Sequence, residues 1–145
     1  MMSASQQAQQ ELSTSRRQLF ELLENVDTVD VFFARLADDV RWTLHGSHPL
    51  AGEYRSRAEF VPATIGQVRP LLSGGLRFHI VALHGDGPVT VAEMRGIGVA
   101  LDGTPYDPFY VWVCRFDAEG DTIVAVDAYI DSVVVTDILR RLSPR

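Results

Sequence analysis

Cysteine is nearly missing from this sequence. A single one, Cys114, stands among 145 residues, so the chain forms no internal disulfide and no cysteine-based zinc site. Its setting, the apolar run YVWVCRF, marks it as a buried structural thiol. Positive charge is also short: thirteen basic residues against nineteen acidic ones leave a formal net charge of −6. A nucleic acid or an anionic membrane calls for a basic face, so this balance argues against both as partners. The pairs Arg16-Arg17 and Arg140-Arg141 are too short to make such a face. No run comes near the roughly 20 apolar residues that span a membrane. The opening MMSASQQAQQ lacks the apolar core of a signal peptide, and the expected location is cytoplasmic. Internal repeats and long linkers are absent as well.

What is present fits one domain, with 46% hydrophobic and 22% charged residues and enough length for its own core. Residues 1–8 are expected to be a flexible N-terminus, 9–132 a single domain, and 133–145 a C-terminal helix and tail. From Ala8 onward Leu12, Leu19, Leu22, Leu23 and Val26 recur at helical spacing. Asp27 or Thr28 caps a second, shorter helix with Val31, Phe32 and Leu36, closed by ADD. VRWTLH then alternates, with Val40, Trp42 and Leu44 on one face, and runs into the Gly/Pro loop HGSHPLAG. Ser56 opens a third helical stretch that Pro62, Gly66 and Pro70 make irregular. After Gly74-Gly75 come four β-rich runs separated by HGDGP, LDGTPYD and DAEGD, the pattern of an antiparallel meander. A last amphipathic helix carries Val135, Ile138, Leu139 and Leu142.

Helices first and a sheet after them is an α+β architecture. A bent sheet closed on one side by helices makes a cone with an apolar hollow, a usual place for a small ligand. Alternation divides each strand into two sets without saying which set faces inward. On the third long run Tyr110, Trp112, Cys114 and Phe116 oppose Phe109, Val111, Val113 and Arg115. On the fourth, Val126, Ala128 and Ile130 oppose Asp127, Tyr129 and Asp131.

The segments LADDVRWTLHGSHPLAGEYRSRAEF and GTPYDPFYVWVCRFDAEGDTIVAVDAYIDS resemble the SnoaL-like polyketide cyclase group. That group lies in the nuclear transport factor 2-like superfamily, with ketosteroid isomerase and limonene epoxide hydrolase as relatives. The motifs that carry the resemblance are aspartates closing the second helix, the Gly/Pro loop, a Tyr-x-x-x-Tyr-x-Trp strand and a Tyr-x-Asp strand end. The resemblance covers roughly residues 10–135 and speaks to fold more than to reaction. It implies a cone-shaped curved antiparallel sheet around an apolar pocket. It also implies an inward set of His48, Glu93, Arg95, Ile97, Tyr110, Trp112, Cys114, Val126, Ala128 and Ile130, with Trp42 beside them. The catalytic sets of the relatives are incomplete in this chain. Where ketosteroid isomerase would hold its base, tyrosine and aspartate stand Ser47 or His48, Leu19 or Phe20, and Trp112. Arg95 matches the arginine of an epoxide hydrolase, but Ile97 and Ala128 replace its carboxylates. Cys114 and Ala128 replace the histidine–aspartate pair of a cyclase.

Among the remaining candidates, His48 is the best general base by residue type and would sit at the pocket mouth; the alternative is a loop histidine bonded to backbone. His45 stands at a strand end in a structural or exposed role. The His-x-x-His spacing lacks a third ligand, so no metal and no cofactor is expected. Glu93 and Arg95 could pair with each other for structure or anchor a ligand oxygen. Tyr110 and Trp112 wall the cavity. Asp131 either caps the last helix or turns inward as a catalytic acid. Two functions stand open. One is proton transfer on a small oxygenated ring compound, with His48 as base and Arg95 or Tyr110 stabilising negative charge. The other is a binding module that sequesters a small apolar organic ligand. A structural dimer with a collapsed pocket is a third possibility, given the bulk of Trp112 and Phe116. A homodimer through Phe109, Val111 and Val113 would cover the outer face of the sheet.

Overall fold

Ser3 starts the first helix, α1 (Ala4–Glu21), well before the apolar periodicity sets in. Its hydroxyl accepts from the Gln6 backbone N–H, and the Gln6 side-chain oxygen accepts from the Ser3 N–H. This capping box satisfies two end donors at once, so the stretch expected to be flexible, residues 1–8, is helical from Ala4 onward. The computed structural model describes residues 1–144. A 3-10 turn (Leu22–Glu24) leads to α2 (Val29–Ala34), β1 (Arg41–His45), β2 (Gly52–Tyr54), α3 (Arg57–Ala63) and α4 (Ile65–Val68). A second turn (Arg69–Leu71) leads to β3 (Leu72–His84), β4 (Val89–Ala100), β5 (Pro105–Tyr106), β6 (Phe109–Phe116), β7 (Ile123–Ile130) and α5 (Ser132–Leu142). Ser56 caps α3 by accepting from the Glu59 N–H, and Asp131 caps α5 by accepting from those of Val133 and Val134.

The strands lie in the order β2-β1-β7-β6-β4-β3, with β5 beside β4. Every pairing is antiparallel except that of β1 with β7, so the sheet is mixed rather than wholly antiparallel. Most of the domain separates those two strands, which leaves room for the long crossover that parallel neighbours require. β2 lies within the stretch that reads from sequence as loop; it folds back on β1. The sheet is curved and unclosed. Two register shifts in β3 contribute to its bend, and Gly74 and Gly75, at φ of 85° and 86°, supply backbone at the first of them that a Cβ would strain. The helices pack on the concave side, where Phe20, Phe32, Phe33 and Trp112 join one apolar core. Among the described residues no helix is long and apolar enough to cross a membrane.

On β6 and β7 the inward sets are those expected: Tyr110, Trp112, Cys114 and Phe116, with Val126 and Ala128. β4 is the reverse of the expectation. Thr90, Ala92 and Met94 are buried, while Glu93 and Arg95 are exposed and Ile97 shares their outer side. Pairing explains it: Met94 lies opposite Tyr110, Ala92 opposite Trp112, and Thr90 opposite Cys114. Cross-strand partners share a face, so an inward Trp112 turns Glu93, Arg95 and Ile97 outward.

Candidate functional site

Between the helices and the inward face of the sheet lies a cavity of about 60 Å³. A single water needs roughly 10–15 Å³ of such space. The cavity therefore suits a ligand of few non-hydrogen atoms, and a fused-ring compound enters only if side chains move. Aromatic rings make much of the wall. Trp42 stacks on Phe60 with ring centroids 4.0 Å apart. Trp112 meets Trp42 edge-on at 4.9 Å and Phe78 at 5.3 Å. Ile130 and Val135 add aliphatic wall from β7 and α5. The polar side chains of the wall are Thr64, Tyr106, Tyr110 and the two indoles. The Thr64 hydroxyl is already spent, donating to the Phe60 carbonyl at 2.8 Å.

A glycine on β4 makes room for the Tyr110 phenol. Gly98 lies opposite Tyr106, and a Cβ on Gly96 would stand 3.0 Å from Tyr110 Cε2 and 3.1 Å from Pro108 Cδ. Gly96→Ala is expected to displace the Tyr110 ring and to cost about 1–3 kcal/mol, measured by urea denaturation. Tyr106 belongs to the Tyr-x-x-x-Tyr-x-Trp motif but is absent from the sequence-based candidates.

Burial pushes the Tyr106 hydroxyl up to about 12; Tyr110 pulls the other way, and the Asp131 carboxylate adds to the rise. Burial also lifts Tyr110 well above the usual phenol range and raises the Cys114 thiol. All three are neutral in the folded protein. Unfolded, they ionise as pH passes their ordinary values of 10.0 for the phenols and 9.0 for the thiol. Their raised folded values mean that the stability they contribute is complete below pH 9 and drains away as pH climbs. By pH 10 the expected loss is about 2 kcal/mol in urea melts across a pH series, and Cys114→Ala should flatten the first part of the curve.

The other sequence-based candidates fall elsewhere. His48 is buried, but both its ring nitrogens are engaged by the loop. Nδ1 accepts from the Leu50 N–H at 3.2 Å, so Nε2 carries the proton and donates to the His45 carbonyl at 3.1 Å. No ring lone pair is left to act as a base, and His48 does not line the cavity. The turn that seats it depends on Gly46, at φ 126°, where a Cβ would stand 2.7 Å from Ser132 Oγ and 2.9 Å from His48 Cδ2. Arg95 and Glu93 do not pair with each other: Arg95 binds Asp107 at 3.1 Å and Glu93 binds His84 at 2.5 Å, all on the outer side. Asp131 spends its Oδ1 as the α5 cap. Cys114, Val126 and Ala128 point inward yet lie outside the cavity wall, in the packed core, whereas Trp42, Tyr110, Trp112 and Ile130 are part of that wall. His45 is on the outer face, 2.9 Å from Asp127 Oδ1 and stacked on Tyr129. Among the described residues, no cluster of three or more His, Cys, Asp or Glu could hold a metal ion.

No protein-family model and no curated protein matches the chain. Solved structures do. An NTF2-like protein from Burkholderia thailandensis is 27% identical, with a TM-score of 0.61, over 74% of this chain and 82% of its own. An NTF2-like protein of unknown function from Burkholderia pseudomallei is 22% identical, with a TM-score of 0.66, over 92% of this chain and 98% of its own. A protein from Catenulispora acidiphila with a ketosteroid isomerase-like fold, in complex with trimethylamine, is 13% identical, with a TM-score of 0.60, over 87% of this chain and 91% of its own.

Proposed function

From the premise that this chain has the nuclear transport factor 2-like fold, we propose that it is a SnoaL-like binding protein whose cavity holds a small apolar organic ligand without transforming it. The observation that carries this reading is the composition of the cavity wall. Among the described residues its side chains are aliphatic, aromatic or hydroxyl-bearing, and none is a carboxylate, imidazole or guanidinium. Proton transfer near neutral pH needs a group that gains and loses a proton there. The wall offers only phenols whose pKa burial has raised. The similar fold in complex with trimethylamine supports a ligand of small size.

Both tryptophans of the chain, Trp42 and Trp112, line the cavity, so selectively excited tryptophan fluorescence reports on it. Titration with small apolar molecules is expected to give a saturable change, with the ligand recovered intact by mass spectrometry. His48→Ala should leave the dissociation constant within about twofold while costing roughly 1 kcal/mol of stability through loss of two loop hydrogen bonds. A ligand converted by the wild type but not by His48→Ala would replace binding with proton-transfer catalysis. The outer sheet face, where Phe109 and Tyr129 are exposed beside Val111 and Val113, is the surface proposed for a homodimer. Sedimentation as a monomer at micromolar concentration would count against that pairing.

A further inference from the structure

Among the described residues, Tyr106 carries the one fully buried side-chain polar atom without a hydrogen-bond partner. The residue is 1% exposed and forms part of the cavity wall. The hydroxyl of Tyr110, also in the wall, is near enough to influence it but lies outside hydrogen-bonding geometry. A phenylalanine at position 106 would pack the same ring with no unpaired group, so the hydroxyl is a net cost to the folded chain unless something binds it. β4 has also given up a side chain at Gly96, where a Cβ would stand 3.0 Å from the Tyr110 ring.

We infer that Tyr106, with Tyr110 beside it, is a donor site for one neutral carbonyl-type oxygen on an otherwise apolar ligand. The inference rests on the reading of the cavity as a small-molecule pocket and names the ligand class. Phenols are protonated at neutral pH, and burial only extends that range upward, so each offers an O–H. The ligand oxygen must be neutral for two reasons. No cation in the wall would balance a buried anion, and the Asp131 carboxylate acts on Tyr106 with negative charge. Small ketones and aldehydes meet these conditions; carboxylates do not.

The test compares wild type with Tyr106→Phe by tryptophan fluorescence, using cyclohexanone, the isosteric hydrocarbon methylenecyclohexane, and cyclohexanecarboxylate. Wild type should prefer the ketone and reject the carboxylate. Tyr106→Phe should lose about tenfold in ketone affinity and nothing for the hydrocarbon. The ligand-free variant should melt at or above the wild-type temperature. Unchanged ketone affinity in the variant, with all else intact, overturns the donor site and leaves the pocket reading standing. So does a fall of several degrees in its melting temperature, because the hydroxyl would then already be bonded. Tight carboxylate binding overturns the neutral-ligand requirement. No saturable binding by any of the three overturns the pocket reading and this inference with it.

Discussion

Phe32→Ala is expected to destabilise the protein by about 3–5 kcal/mol, the cost of removing a fully enclosed ring and leaving a cavity. Phe32 has no exposed surface. Its ring lies 5.5 Å from those of Phe20 and Phe33 and 5.9 Å from Trp112, centroid to centroid. It therefore joins α1, α2 and β6 at one point. In a chain of this size the expected fall in Tm is about 10 °C or more. Val31, its neighbour on α2, is 46% exposed. Val31→Ala should stay within about 0.5 kcal/mol, which separates packing from any helix-wide effect. If Phe32→Ala fails to fold, Phe32→Leu gives the same test on a smaller scale, about 1–2 kcal/mol in urea denaturation. A loss below 1 kcal/mol for the alanine variant would show that α2 is not what the core is assembled around. The ligand cavity should feel this variant too, because Trp112 touches Phe32 and also lines the cavity.

On β1, β6 and β7 alternation sorted the residues into two sets, and on β6 and β7 the resemblance supplied which set faces inward. Trp42 and Leu44, Tyr110 and Trp112, and Val126 and Ala128 could each be grouped by period alone. Ser56 was legible as the start of α3, whereas Asp131 stood open between a cap and a catalytic acid, a choice that its bonds to the Val133 and Val134 N–H groups decide. β4 was not legible. Its inward face is made of Thr90, Ala92, Met94 and glycines, so alternation gave no clear signal there and the resemblance placed Glu93, Arg95 and Ile97 inward. Only the pairing of Ala92 with Trp112 decides the matter, and pairing is a long-range fact. The parallel contact of β1 with β7 is hidden for the same reason. His48 failed differently. Its residue type and loop position were right for a base, but a glycine turn two residues earlier folds the ring onto its own backbone. The site that emerges, Tyr106 beside Tyr110, depends in part on Gly96, where a side chain would meet the Tyr110 ring.

Arg16→Met is the second large expected effect, about 2–3 kcal/mol of lost stability. The sequence places Arg16 next to Arg17 as a basic pair, yet it falls on the helical stripe of Leu12, Leu19 and Leu23, and it is only 3% exposed. Its guanidinium has no carboxylate partner within salt-bridge distance among the described residues. Nη1 donates to the Gly87 carbonyl at 2.9 Å and to Thr90 Oγ1 at 2.7 Å, and Nη2 donates to the Gly120 carbonyl at 3.1 Å. The cation also lies 3.5 Å from the centroid of the Phe116 ring. These contacts tie α1 to the turns joining β3 with β4 and β6 with β7. Two opposing terms decide the outcome. Methionine removes the desolvation cost of a buried cation, but Thr90, fully buried, loses a donor, and the Phe116 face loses its charge. Water can reach the two half-buried turn carbonyls, so the net loss stays well below the sum of three separate hydrogen bonds. Arg16→Lys should recover less than half of it, since one ammonium cannot span three acceptors set for a planar fork. Arginine keeps its charge across the working range, so the loss should be equal at pH 6 and pH 8.5. Ligand binding should be unaffected. Arg16 sits near the Phe116 end of β6 and Tyr110 near the other, a separation of about 20 Å along the strand. A variant as stable as wild type would show that the cation only fills space; one that loses ligand affinity in proportion to stability would show that the two ends of the cone are coupled.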